Sequence, residues 1–456
     1  MLDLIKRFWD VPELKKRILF TLTCLAACRI GTFIPVPGIN SEMALSFLRF
    51  ATGGGQNIFQ LVDIFSGGAF AQMTIFALGV MPYVSASIVL NLAGIIFPGL
   101  QREMKENPEQ GKRKMNRLTR YLTVALALLQ SFWYARYVLG FNMTRPGIIC
   151  DALLQIECFG VPWLFYLTTA VCMTTGTLIL MWIGEQITER GIGNGISLII
   201  GLGIVASLPA TIGSMVKQLN LDSQEIGELT FSGMLVLCGV FVSIILGTVL
   251  VIQGQRKIAL QYARRVVGQR EVQGSGAAFV PLKVNYAGVI PVIMASTFLM
   301  FPAMFMQLAP AGSWLANMAR WISPGTTLYG VLFVLFILAF TYFWTSITFH
   351  PDQIASEMKK NGAFIPGIRQ GQPTEEFLEG TMSRVTFIGA IALAVVAILP
   401  TIVAKLLGVD PSVSQFFGGT SLLIMVGVVL DTMKQIEGHL VMQRYDGFMR
   451  SSAQLR

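Results

Sequence analysis

NIFQLVDIFSGGAFAQMTIFALGVMPYVSASIVLNLAGIIFPGL, residues 57 to 100, sets a short apolar piece before a break at Ser66-Gly67-Gly68 and a long apolar run after it. The first piece, Ile58 to Phe65, would rise only about 12 Å as a helix, against about 30 Å for a hydrocarbon core. It enters the membrane without crossing it. Irregular backbone at that depth persists only where protein buries it or where it lines a water-filled cavity, because lipid offers its amides no partner. The stretch therefore predicts a re-entrant element over a funnel or channel.

The rest of the chain fits a membrane setting. Of its 456 residues, 54% are hydrophobic and 13% charged, where soluble domains carry about 25% charged residues. Mean hydropathy is +0.63. The apolar blocks have helical spanning length, not the ten-residue alternation of outer-membrane barrels. Ten spans are expected, near 18–36, 73–98, 119–140, 163–183, 196–213, 233–253, 286–306, 327–348, 384–404 and 418–433. A basic segment with Lys6, Arg7, Lys15, Lys16 and Arg17 runs into the first span without a small-residue cleavage site, so that span is expected to be retained.

Basic residues sort by side. Most of the 34 lysines and arginines fall in the N-terminal segment, the 2/3 loop (Arg102 to Arg120), the 6/7 loop (Arg256 to Lys283), the 8/9 region (Lys359, Lys360, Arg369, Arg384) and the C-terminal segment. The positive-inside rule places these, and both termini, in the cytoplasm. Arg29 and Arg136 lie late in spans 1 and 3, from where they are expected to snorkel outward. Five spans on each side of the 5/6 connection suggest two inverted halves, an arrangement that recurs in transport proteins. The expected divisions are an N-terminal segment 1–17, a first half 18–213, an external hinge 214–232, a second half 233–433 with cytoplasmic loops 254–283 and 349–383, and a C-terminal segment 434–456.

The chain offers little material for chemistry. Six cysteines without a CxxC and two histidines leave no ligand set for a metal, and no cofactor is expected. Cys150 and Cys158 share one outward loop, as a disulfide or as two free thiols. Paired acids and a nucleophile with a base are lacking, which argues against an enzyme. GEQITERGIGNG at 184–195 contains a GxGxG. With no preceding strand and no GxxxxGK[ST] in the chain, it reads as a tight turn opening span 5.

The 6/7 loop protrudes with Arg256, Lys257, Arg264, Arg265 and Arg270. It suits either anionic lipid or a large acidic or RNA-bearing partner. The 8/9 loop presents Arg369 at a tip stiffened by Pro366 and Gly367, and the two loops are expected to form one platform.

Five stretches resemble the SecY family: residues 57–92, GEQITERGIGNGIS at 184–197, PLKVNYAGVIP at 281–291, GAFIPGIR at 362–369 and FFGGTSLLI at 416–424. They cover essentially the whole chain in order. The resemblance implies an all-α polytopic membrane protein with ten transmembrane helices in two pseudo-symmetric inverted halves around an hourglass pore, with a short re-entrant plug helix. It implies a protein-conducting channel that moves unfolded, signal-bearing polypeptides and releases transmembrane segments sideways.

By position, Ile58 to Gln72 corresponds to the plug, with Phe65, Ser66, Gly67 and Gly68 at its break and the two glycines softening it for displacement. Val80, Val84, Ile200, Ile293 and Ile424 correspond to the pore ring, whose branched aliphatics gate by dewetting. Asn91, Gln130 and Ser296 are polar residues along the lateral seam, and Arg256, Lys257 and Arg369 match docking positions for the SecA motor ATPase and the ribosome. SecE-like and SecG-like small subunits, preproteins, nascent membrane proteins and anionic lipids complete the implied partners, in the bacterial inner membrane.

A secondary transporter is the alternative, motivated by the discontinuous helix and the inverted halves. It would need acids, histidine or arginine near the midplane, whereas Glu185 and Asp431 stand at expected cytoplasmic ends.

Overall fold

The computed structural model describes residues 12–40, 43, 58–97, 107–144, 147–150, 157–158, 161–217, 231–262, 265–267, 270–272, 278–307, 313–323, 325–406 and 420–454. Lys6, Arg7, Arg264 and most of the expected hinge lie outside these residues. Helices dominate in the order α1 (Pro12–Gly31), α2 (Ile58–Ser66), α3 (Met81–Ile96), α4 (Pro108–Thr144), α5 (Trp163–Arg190), α6 (Gly195–Lys217), α7 (Phe231–Gln253), α8 (Ile290–Gln307), α9 (Trp314–Trp321), α10 (Thr327–Thr348), α11 (Pro351–Lys360), α12 (Gln372–Leu406) and α13 (Thr420–Gln454). Each expected span overlaps one of them. Among the described residues, six of the ten coincide with a helix long and apolar enough to cross a membrane, and Met81–Gly94 and Ile290–Met300 are shorter apolar helices.

Two expected boundaries need correction. Span 1 ends at Gly31, and span 2 becomes helical only at Met81. Residues 67–80 spend their backbone bonds elsewhere: Thr74 N–H donates to Ala69 O, Ile75 N–H to Ile34 O and Val36 N–H to Met73 O. The chain thus folds back along the residues that leave α1. Gly79, at φ 56°, closes that course. The helix then starts with Pro82 in its first turn, where a missing N–H costs nothing.

Helices also outrun their apolar windows. α4 begins at Pro108, α12 at Gln372, and α13 continues to Gln454 through the segment expected to be a separate tail. The apolar window marks where lipid lies, and polar helix formers carry the hydrogen-bond ladder past it. The short helices α9 and α11 are additions, and α9 leaves Trp314 and Trp321 exposed, as residues of a membrane interface often are.

One large apolar core runs through the bundle and includes Phe70, Tyr134, Phe165, Ile204 and Ile424. A second lies on the expected cytoplasmic side, where Ile258, Leu282, Phe349, Met358, Leu378 and Met382 pack together. Above it, β1 (Gln255–Tyr262) pairs antiparallel with β2 (Ala278–Lys283), Ile258 opposite Val280. It also pairs with β3 (Ala363–Phe364), Tyr262 opposite Ala363. The 6/7 and 8/9 loops are therefore one sheet.

Candidate functional site

The re-entrant helix α2 has nine residues and ends in a closed turn. Ser66 Oγ donates to Asp63 O at 3.1 Å and accepts the Phe70 N–H at 3.0 Å. Asp63 Oδ1 accepts the Ala71 N–H at 2.7 Å. Asp63 is an acid at membrane depth that the sequence reading passes over.

Gly67 and Gly68 have φ of 68° and 88°, a region costly for other residues. A Cβ on Gly203 of α6 would come within 2.5 Å of Phe65 O. These glycines fix a seated conformation and permit a close approach, a static role that the expectation of softness leaves out.

Two side chains reach the turn from neighbouring helices. Arg29 Nη1 of α1 donates to Gly67 O at 2.6 Å, so this arginine, half-buried, does not simply snorkel. Tyr134 of α4 donates its hydroxyl to Phe70 O at 2.9 Å. Arg136 is exposed.

Of the proposed ring, Val80, Ile200, Ile293 and Ile424 are buried, and Val84 packs half-buried against the same core. Val84, Ile200 and Ile293 line a cavity of about 410 Å³, together with Asn91, Arg120 and Glu185. Val80 lines a separate cavity of about 30 Å³ with Phe65, Ser66, Cys28 and Arg29. Ile424 lines neither of the two. Val84, Ile200 and Ile293 thus line a wide vestibule, and Val80 lines the small cavity against the re-entrant segment.

The seam residues lie on packed helices: α3, carrying Asn91, contacts both α4, with Gln130, and α8, with Ser296. Gln130 and Ser296 are buried. Ser296 Oγ donates to Ile293 O within its own helix at 2.9 Å. Asn91 Nδ2 reaches Ser87 Oγ at 3.4 Å and lines the vestibule.

The glycine-rich turn behaves as read. Gly193 adopts φ 89°, and its N–H donates to Gln435 Oε1 of α13 at 2.8 Å. The Ile192 N–H donates to Thr21 Oγ1 of α1 at 3.1 Å. A Cβ on Gly195 would meet Gly184 O at 2.0 Å. The turn is a crossing point of four helices with no room for a phosphate-binding loop.

On the sheet, Arg256, Lys257 and Arg369 are exposed, and Lys257 Nζ sits 4.8 Å from the Phe279 ring centroid. Cys150 is a free, exposed thiol.

Sequence reading missed the pairing of Arg120 with Glu185, 65 residues apart, and the reach of Arg29 and Tyr134 to the turn. For the last two, the only signal was a polar side chain in a span, which is costly unless partnered.

The family described as SecY matches residues 74–433. A protein translocase subunit SecY from Chlamydia trachomatis serovar D is 57% identical over 447 residues, 98% of each chain. One from Streptomyces galbus is 41% identical over 460 residues, covering 99% of this chain and 100% of its own. A structure described as that of a protein conducting channel superposes with a TM-score of 0.62 at 17% identity, over 93% of this chain and 92% of that one. An idle yeast Ssh1 complex bound to the yeast 80S ribosome gives 0.59 at 13% identity, over 92% and 89%. At such identities the likeness of these two structures is one of fold.

Proposed function

The chain belongs to the SecY family, and from that premise we propose that it is the channel-forming subunit of a protein translocase. It moves unfolded, signal-bearing polypeptides across the bacterial cytoplasmic membrane and releases transmembrane segments laterally into it. The observation that carries this reading is the re-entrant helix Ile58–Ser66, too short to cross, seated beside Val80 next to a vestibule that Val84, Ile200 and Ile293 line.

In this mechanism the vestibule receives the chain from the cytoplasm. The aliphatic ring formed by Val80, Val84, Ile200, Ile293 and Ile424 dewets when empty and deforms around a passing polypeptide. The segment 58–72 seals the outer side. Parting of α3 from α8 opens the seam at Asn91, Gln130 and Ser296, where polar groups keep the helix contact from becoming a permanent apolar one. The exposed cations Arg256, Lys257 and Arg369 face the SecA motor or the ribosome. Ten crossings, cytoplasmic termini and SecE-like and SecG-like partners belong to the same reading. Asp63, spent on the Ala71 N–H, suits a plug turn better than a transporter's ion site.

A photo-crosslinking residue at Ile424, with a signal-bearing precursor stalled during transport into vesicles, tests the channel. Crosslinks that require the signal and the motor or ribosome are expected. Transport without crosslinks removes Ile424 from the ring, and uptake of a small solute driven by an ion gradient overturns the channel reading.

A further inference from the structure

The re-entrant segment is fastened by its backbone. Arg29 and Tyr134 each donate to a carbonyl of the turn that follows α2, Gly67 O and Phe70 O. Gly67 follows the last residue of α2, where carbonyls lack intrahelical partners and a cation meets the negative end of the helix dipole, whereas Phe70 O also accepts the Met73 N–H at 3.2 Å. Tyr134 adds an edge-to-face contact with the Phe70 ring, centroids 4.9 Å apart.

Both donors are expensive where they stand. A guanidinium in a span and a phenol hydroxyl in the core, 1% exposed, lose free energy unless hydrogen-bonded. Seating the segment supplies an acceptor to each donor and so offsets that cost, while the Phe33 ring, 5.2 Å from the Arg29 guanidinium, adds a contact of its own. Both come from the N-terminal half of the chain, which also provides Gly203, the backbone against which Phe65 and Gly67 pack.

We infer that Arg29 and Tyr134 form a latch, two positioning residues that hold the re-entrant segment shut by carbonyls that no side-chain replacement in the segment removes. The latch keeps the segment with the N-terminal half when the halves part, and opening requires both carbonyls to leave their donors. The inference rests on the channel reading above.

Cys28 is a native reporter, because it is buried and lines the small cavity beside Arg29, Phe65 and Ser66. In the reconstituted complex, with Cys28 as the single remaining cysteine, a membrane-impermeant maleimide is added from the exterior without precursor. Tyr134→Phe is expected to raise the labelling rate about fivefold, as for loss of one neutral hydrogen bond. Arg29→Met is expected to raise it about tenfold or more, as for a charge-assisted one. Resting ion leak should rise in the same order, and Arg29→Lys should recover part of the closure.

Tyr134→Phe removes a single oxygen, so labelling and leak at the parent's values in that variant overturn the latch. Precursor transport by the parent complex in the same vesicles reads the channel separately. A parent that transports nothing yet shows latch-dependent labelling sinks the channel reading and leaves the latch standing.

Discussion

Arg120 grips Glu185 through two parallel bonds, Nε to Oε1 at 3.0 Å and Nη2 to Oε2 at 2.6 Å, tying α4 to α5 at the rim of the vestibule. The planar fork of arginine matches a carboxylate in a way lysine cannot. The arginine side chain is 53% exposed, so water and salt screen the pair. A double-mutant cycle with Arg120→Gln and Glu185→Gln, read by thermal unfolding, is expected to give a coupling of about 0.5–1 kcal/mol at low salt that shrinks at high salt. A salt-independent coupling would contradict the exposed geometry.

Gly195→Ala should be among the least tolerated substitutions, because its Cβ would fall 2.0 Å from Gly184 O and a backbone atom cannot swing aside. Overpacking of this kind costs about 1–3 kcal/mol. At Gly213 a Cβ meets nothing within 4 Å, and alanine there should be neutral or stabilising by up to about 1 kcal/mol. Melting temperatures of the two variants check the contrast, and equal values would show that the turn can relax.

Ile424 is fully buried in the main core. An unpaired amide at that position costs about 1–3 kcal/mol, and the cheapest relief is water in the throat. Ile424→Asn is expected to raise resting conductance and to admit precursors with defective signals. Undiminished signal stringency would place Ile424 in ordinary bundle packing.

Arg369 stands exposed beyond β3, and its carbonyl accepts the Thr374 hydroxyl at 2.7 Å. The tip is thus held while its charge is free to meet an anionic partner. Arg369→Glu should abolish motor- or ribosome-driven export with little change in melting temperature, since the side chain supports no core. Normal export by this variant would exclude the residue from docking.

The re-entrant element was readable from sequence because its evidence is a length: a nine-residue segment before two glycines cannot span a bilayer. The aliphatic ring followed only from resemblance, since valine and isoleucine in a span look like any bundle core. What holds the segment in place was not readable at all. Arg29 lies 38 residues from Gly67 and Tyr134 64 residues from Phe70, and no periodicity relates them. Residues 73–80 misled because apolar content persists where the backbone has left the helix. Helix Trp314–Trp321, at eight residues, is shorter than any window that detects spans.

Strand β1 bonds to β3 across two loops that are about a hundred residues apart, above a core that includes Phe349 at the end of α10 and Leu378 and Met382 of α12. Displacing the sheet therefore means displacing the ends of α10 and α12 with it, because one apolar core holds all three. α10 in turn packs against α8, and α8 contacts α3.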